Sequence, residues 1–171
     1  MAEAKAGCEF VEVLLAKGDA RLKGVGLTVN AKGLLDMTLD GKPSFFRDAS
    51  NCDIDSPQNR FDLDCDWDYP ADEDEAAERD FARLTGRLNA CLPTPLKEVA
   101  PVVYTEAQIK ELAAKYGPSF EEYLRADKDL GQFRASYPAE EDNDVSLDVD
   151  LALDRDDRNG KLEISLSFSR Y

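Results

Sequence analysis

Histidine is absent from this chain of 171 residues. It is the side chain that most often transfers protons near neutral pH, and it is the commonest zinc and copper ligand. A Ser-His-Asp or Cys-His catalytic arrangement is therefore excluded within this chain. Carboxylate or lysine chemistry stays possible, but among 36 acidic residues a pair of neighbouring acids indicates no particular reaction. These patterns predict no catalytic residue, no metal site and no cofactor.

Two further absences limit the partners of the protein. No apolar run approaches the roughly 18 residues that a membrane-spanning helix needs, so no membrane span is predicted. Clustered lysines and arginines, which proteins use to bind nucleic-acid phosphates, are also missing. The sequence therefore predicts no nucleic-acid partner.

The charge that is present is acidic and local. The sequence has 36 acidic and 21 basic residues, for a net charge of −15. Residues 53–80 hold twelve acids and two arginines, and residues 140–157 hold nine acids and one arginine, so the remainder of the chain is slightly basic. Such segments favour a cationic protein, a basic peptide or a divalent ion as partner. The alternative is that they only confer solubility.

The four cysteines are Cys8, Cys52, Cys65 and Cys91, and no C-x-x-C motif is present. A zinc ribbon or a thioredoxin-like site is therefore not indicated. An even number of widely spaced cysteines in an acidic chain favours two disulfides over four reduced core cysteines. Of the three possible connectivities we expect Cys52 with Cys65, which would clip a loop to the following strand, and Cys8 with Cys91, which would join two helices.

Disulfides indicate an oxidising compartment, so we expect a periplasmic or secreted protein. The first residues, MAEAKAGC, contain no apolar segment of the kind that a signal peptide needs. We therefore interpret the chain as a mature sequence whose signal peptide was removed and replaced by a start methionine.

The segment LALDRDDRNGKLEISLSFS, residues 151–169, has the acidic content of a calcium loop. With Gly160 at the sixth position of such a loop, the first and twelfth positions fall on Arg155 and Leu166, which are not calcium ligands. The flanking residues alternate between apolar and polar, as those of strands do and those of helices do not. Asn159-Gly160 between two such runs predicts a β-hairpin turn, with calcium binding weak or absent.

The remaining patterns predict an α+β fold, with a mostly antiparallel sheet packed against helices and a C-terminal β-hairpin, in a single domain over residues 1–171. We expect helices at residues 3–17, after Pro70, from Thr105 and from Ser119. Strands are expected at residues 25–29, 35–39 and 61–69, with an edge strand within residues 98–104. Loops are expected from Cys52 to residue 60 and at residues 127–143.

Two predicted strands carry several aspartates on the face opposite their apolar residues. In FDLDCDWDY, residues 61–69, like charges on one face lie about 7 Å apart, so they are tolerated only in water or against cations. If both acidic strand faces belong to one sheet, they form a carboxylate-rich binding surface. Its predicted members are Asp62, Asp64, Asp66, Asp68, Asp148, Asp150 and Asp154.

Such a surface predicts a non-enzymatic module that binds a basic partner, as an inhibitor, an immunity protein or a chaperone does. The alternatives are a carboxylate- or metal-dependent hydrolase and a structural envelope protein. A requirement for a divalent ion would favour the hydrolase, whereas an apolar pocket would favour a small ligand.

Overall fold

The computed structural model describes residues 8–16, 48–55, 60–140 and 145–171. Helices and strands follow one another in this order: α1 (Cys8–Leu15), β1 (Asn51–Asp55), β2 (Phe61–Tyr69), α2 (Asp74–Cys91), β3 (Lys97–Glu98), α3 (Glu106–Tyr116), α4 (Pro118–Ala126), β4 (Asp127–Tyr137), β5 (Leu147–Asp156) and β6 (Lys161–Arg170). The strands form one six-stranded antiparallel sheet in the order β1-β2-β6-β5-β4-β3. The predicted α+β class and the C-terminal hairpin of β5 and β6 are confirmed.

One face of the sheet forms the core. β2, β5 and β6 each alternate between buried apolar and less buried polar positions, because successive side chains of a strand point to opposite faces. The buried positions are directly opposed across the strand pairs, so they form one continuous apolar layer. Its members are Phe61, Leu63, Cys65, Trp67, Leu147, Val149, Leu151, Leu153, Leu162, Ile164, Leu166 and Phe168. Burial of each large apolar side chain contributes about 1.5–3 kcal/mol to folding.

Helix α2 covers this apolar layer. Its first turn is acidic, as the helix dipole favours, and its apolar stripe buries Leu84 and Leu88 completely. Arg155, near the end of β5, reaches the start of this helix, where its Nη2 lies 2.6 Å from Oδ2 of Asp74. This ion pair connects the hairpin end of the sheet to the start of α2.

Helix α1 has two connections to the rest of the fold. Its first residue, Cys8, forms a disulfide with Cys91, the last residue of α2. Arg170 is buried and donates hydrogen bonds to the carbonyl oxygens of Leu14, at 2.9 Å, and Ala16, at 2.8 Å. The last carbonyl oxygens of a helix receive no hydrogen bond from within the helix, so the Arg170 side chain supplies donors that they would otherwise lack. The last strand therefore fastens α1 to the sheet.

Helices α3 and α4 lead into β4. The helix predicted from Thr105 is α3, and Thr105 and Gln108 form a capping box at its start. Gly117, with φ of 101°, separates the two helices in a conformation that favours glycine. The last carbonyl of α4, that of Ala126, accepts a hydrogen bond from the N–H of Asp157 in the hairpin turn. Helix α4 therefore lies beside the turn between β5 and β6.

The turn between β5 and β6 has four residues, 157–160, because Asp156 pairs directly with Lys161. The Asp156 carbonyl accepts a hydrogen bond from the N–H of Gly160 at 2.7 Å. Gly160 has φ of 69°, and a Cβ at this position would lie 2.9 Å from that of Ala71. The predicted hairpin is confirmed, but its turn is longer than Asn159-Gly160 alone.

Two segments that were predicted to be loops contain strands. β1 lies where the loop from Cys52 was expected, and β4 occupies most of residues 127–143. An irregularity between Asp129 and Gly131 interrupts the alternation of apolar and polar residues in β4, so the period of a strand is limited to residues 133–137, too short a run to predict the whole strand. The edge strand expected within residues 98–104 is β3, which lies at the sheet edge but ends at Glu98.

Both expected disulfides are present, Cys8–Cys91 and Cys52–Cys65, and the second joins directly opposed residues of β1 and β2. The strands expected at residues 25–29 and 35–39 lie outside the described residues, as do both ends of the helix expected at residues 3–17. Within the part of the chain that the structure describes, no helix is long and apolar enough to cross a membrane.

Candidate functional site

The predicted aspartates lie on the sheet face opposite the core. β2 and β5 are not neighbours, however, because β6 lies between them and adds one lysine, one glutamate and three serines to the same face. At one end of the strands, Ser167 separates Asp64 from Asp150. At the other end the residue of β6 is itself acidic, Glu163. We call the surface formed by the polar positions of β2, β6 and β5 the acidic face.

At one end of the acidic face every carboxylate has a partner. We call this the paired end, and it consists of Asp62, Asp64, Asp148 and Asp150. Their partners are, in that order, Arg60, Ser167, Ser136 and Arg134. The Nε of Arg134 lies 2.6 Å from Oδ1 of Asp150, and the Nε of Arg60 donates to Oδ1 of Asp62 at 2.7 Å. Neighbouring side chains therefore stabilise the charges at this end.

At the other end the acidic face borders a cleft of about 670 Å³ between the β5–β6 hairpin, the end of β2 and helix α4. We call this cleft the acidic cleft, because five carboxylates line it together with two tyrosines, Tyr69 and Tyr123. We count as its members the five carboxylates and Tyr123, that is, Asp68, Tyr123, Asp127, Asp154, Asp156 and Glu163. Among the described residues, Lys161 is the one basic side chain that also lines it. The cleft therefore concentrates negative charge in a concave site.

Few cations lie near these carboxylates. Asp156 has one, since the Nη2 of Arg158 lies 2.9 Å from its Oδ2, and the hydrogen bonds from Arg158 lower the pKa of Asp156. In the described ranges, none of the ion pairs includes Asp68, Asp154 or Glu163. Among the described residues they also accept no side-chain hydrogen bond, whereas each carboxylate of the paired end has an arginine or a serine as its partner.

Burial and mutual repulsion favour the protonated form of several carboxyls here. Partial burial, reinforced by carboxylates of β4 and β6, raises the pKa of Asp154 to about 6. Burial also raises the pKa of Glu163, with the charges of Asp66 and Asp68 as the next causes. The pKa of Asp66 is raised by burial and then by Asp68. A raised carboxyl pKa means that the charged form is poorly stabilised, so a cation bound at this end would be favoured.

Tyr123 connects helix α4 to the acidic cleft. Its hydroxyl lies beside Asp127, and burial, followed by the charge of Asp127, raises the pKa of Tyr123. The charges of Asp154 and Glu163 act on the same hydroxyl. The tyrosine remains 49% exposed. An exposed aromatic ring beside carboxylates can contact both the aliphatic stem and the charged end of a lysine or arginine.

In the calcium-like segment, three side chains at the positions of calcium ligands have partners within the protein instead. Arg155, at the first ligand position, pairs with Asp74, and the Oδ2 of Asp157 lies 2.6 Å from the Nζ of Lys128. The Oδ1 of Asn159 accepts a backbone N–H at 2.9 Å. Across the described part of the chain, no group of three or more Asp, Glu or Cys side chains is arranged to hold a metal ion. The acids of the cleft are therefore spread along a surface and do not converge on one point.

The structure divides the predicted binding surface. Four of its seven aspartates lie in the paired end, Asp66 lies between the two ends, and Asp68 and Asp154 lie in the acidic cleft. Whether this surface binds a partner is not decided by its position, so its role stays a prediction.

Four members of the cleft were not predicted: Tyr123, Asp127, Asp156 and Glu163. Glu163 alternates with serines in the sequence, and only the strand order places it between two acidic strands. Asp127 fell in a segment expected to be a loop, and Tyr123 was expected in a helix with no indication of which surface it faces. Had the pairing of β4 with β5 been predicted in the correct register, Asp127 would have been placed opposite Asp156, at the same end of the sheet as Asp154.

Comparison with known proteins adds no assignment. Protein-family models, curated proteins and solved structures were compared with the chain, and none of them matches it. The function therefore has to be argued from the chemistry of the acidic face itself.

Proposed function

We propose that this protein is a non-enzymatic binding module whose acidic cleft receives cationic side chains of a basic protein or peptide. The main support is the position of Asp68, Asp154 and Glu163, which line one cleft and form no ion pair within the described residues. An inhibitor, an immunity protein or a chaperone would cover a basic partner in this way.

A lysine or arginine in the acidic cleft would interact with several carboxylates at once. Two opposite charges about 4 Å apart attract each other by about 4 kcal/mol at the effective dielectric constant of a protein surface. The pKa of Asp154, raised to about 6, reflects the cost of holding its charge without a partner, and a bound cation would offset that cost. The net charge of −15 would also speed the approach of a basic partner.

We place this binding activity in the periplasm or outside the cell. The support is the pair of disulfides, because disulfides persist in oxidising compartments. A partner exported to the same compartment would then be available to the cleft.

A deca-lysine peptide titrated calorimetrically into the protein tests the proposal. We expect binding that weakens as the ionic strength rises from about 50 to about 200 mM, because salt screens exposed charges. The double variant Asp154→Asn with Glu163→Gln should lose about tenfold or more in affinity, since it removes two unpaired charges of the cleft.

The matched control is Asp64→Asn with Asp148→Asn, which also removes two charges but from the paired end. These aspartates are bonded to serines, so the control leaves no arginine without its partner. We expect this control to lose about threefold or less in affinity. Equal losses in both double variants would refute a site in the cleft, and no binding by the wild type would refute the proposal as a whole.

A carboxylate-based hydrolase is the second candidate, because the raised pKa of Asp154 beside other carboxylates in a cleft suits a general acid. Turnover of a panel of aryl glycosides and aryl esters would test it. Activity that is lost in Asp154→Asn and rises as the pH falls towards about 5 would favour the hydrolase over the binding module. Absence of turnover across the panel would favour the binding module.

A further inference from the structure

We infer that the partner is an extended basic segment that carries an apolar side chain next to its lysines or arginines, and that this apolar side chain enters a groove beside the acidic cleft. This inference rests on the proposed function and specifies the chemistry of the partner. The groove lies between helix α4 and the segment of residues 99–105 that joins β3 to α3, which we call the strap.

The groove has apolar walls and a partly acidic floor. Val102 and Tyr104 from the strap and Tyr123 and Leu124 from α4 line a depression of about 270 Å³. Val102 is 68% exposed, although large apolar side chains are more often buried. Contiguous exposed apolar side chains with polar residues around them are typical of surfaces that bind other proteins.

The groove and the acidic cleft are continuous. Tyr123, Asp127 and Asp154 line both of them, so a ligand that fills one depression meets the edge of the other. One side of Tyr123 therefore belongs to a charged site and the other to an apolar one. A segment of a few residues in extended conformation, at about 3.3 Å per residue, can place neighbouring side chains in both.

Charge complementarity identifies the occupant. Asp129 joins Asp127 and Asp154 in the lining of the groove, and no lysine or arginine belongs to that lining among the described residues. An apolar segment without cations would have to cover these carboxylates without compensation, which is unfavourable. A segment with lysine or arginine beside a leucine or aromatic residue satisfies both parts of the surface.

Two fluorescent peptides with equal numbers of lysines test this inference, one with leucines between the lysines and one with serines. We expect the leucine-containing peptide to bind the wild type about tenfold more tightly, because it buries an additional apolar side chain. Val102→Ser should remove most of this difference while changing the affinity for the serine-containing peptide by about twofold or less. Tyr104→Ser should do the same at an independent position of the groove wall.

Val103→Ser is the matched control, because Val103 is the neighbouring valine of the strap, is 83% exposed, and does not line the groove. It should keep the difference between the two peptides. Equal affinities of both peptides for the wild type would overturn the inference and leave the proposed function intact, whereas no binding of either peptide would end both. A difference that survives Val102→Ser with Tyr104→Ser, or spermine that binds as tightly as the leucine-containing peptide, would also overturn it.

Discussion

Asp150 in the paired end faces Arg134 across β4 and β5, whereas Asp154, four residues further along β5, faces Asp129. Both aspartates occupy polar positions of the same strand, and each has a directly opposed residue on β4. The Nε of Arg134 lies 2.6 Å from the carboxylate of Asp150, but repulsion from Asp129 contributes to the raised pKa of Asp154. The directly opposed residue on β4 is therefore one difference between the two carboxylates, in addition to burial and Asp127, which are the larger causes of the raised pKa of Asp154.

β6 gives the same contrast between the two ends. In the paired end it supplies Ser167, whose hydroxyl donates to Asp64. In the acidic cleft it supplies Glu163, whose charge contributes to the raised pKa of Asp154. A stretch of alternating aspartates therefore becomes two chemically different sites, and the difference comes from the adjacent strands.

Exchanging the residue on β4 should produce the largest effect. Asp129→Arg places an arginine opposite Asp154, in the position that Arg134 has opposite Asp150. We expect the affinity for deca-lysine to fall about tenfold to a hundredfold, because the variant removes one carboxylate and supplies a competing cation. The melting temperature should stay the same or rise slightly, since a repulsive pair becomes an attractive one.

The reciprocal variant, Arg134→Gln, should leave Asp150 without its cation and raise the affinity for deca-lysine by about two- to threefold. Affinity that is unchanged in Asp129→Arg would mean that cross-strand neighbours do not control binding. The comparison between the two ends would then have no functional meaning.

The two ends should also contribute differently to the pH dependence of the free energy of unfolding. This effect should be smaller than the changes in affinity for deca-lysine. The raised pKa of Asp154 means that the folded chain binds this proton more tightly than the unfolded chain does. Its contribution to stability is therefore complete below the ordinary aspartate pKa and is lost as the pH rises through about 6. The raised pKa values of Glu163 and Asp66 act in the same direction.

We therefore expect the wild type to be more stable at about pH 5 than at about pH 7.5, by about 1–2 kcal/mol after allowance for solvent screening. This corresponds to about 3–6 °C in melting temperature. Asp154→Asn should reduce the gain in stability between about pH 7.5 and about pH 5, whereas the matched change Asp148→Asn in the paired end should preserve it. Thermal melts at both pH values measure the effect, and an equal gain in wild type and Asp154→Asn would exclude Asp154 as its source.

The parts of the fold that follow from local periodicity could be predicted from the sequence. Strand β2, the stripe of helix α2 and the hairpin of β5 and β6 all show an uninterrupted apolar period, because one face of each is buried. The capping box at Thr105 is likewise a local signal. The two disulfides were also predicted, from the even number and wide spacing of the cysteines, although Cys52 was expected in a loop and lies in strand β1.

The parts that depend on strand order or on an interrupted period could not be predicted. β4 has its alternation broken between Asp129 and Gly131, so its acids could not be assigned to a face. The length of the hairpin turn decides the register: a two-residue turn at Asn159-Gly160 would pair Glu163 with Asp156, whereas the four-residue turn pairs it with Asp154. The side chains would keep the same face in both registers, but their neighbours would change.

The division of the acidic face is a further consequence of nonlocal pairing. Asp150 and Asp154 each follow an apolar residue on the same strand, and their local sequence does not indicate which of them has a cation as its cross-strand neighbour. Arg134 and Asp129, which make the difference, lie on a strand that the sequence did not predict. The candidate site could therefore be located on the correct face, but its division into a paired end and an acidic cleft required the structure.

The titration of Asp154, followed by carbon-13 NMR of its carboxyl group with and without deca-lysine, measures most directly whether the cleft holds an unpaired charge for a cationic partner. We predict a pKa of about 6 for Asp154 in the free protein and a lower pKa in the complex, because a bound lysine stabilises the charged carboxylate. A pKa in the ordinary aspartate range, near 4, that does not change on addition of the peptide would contradict this role for the acidic cleft.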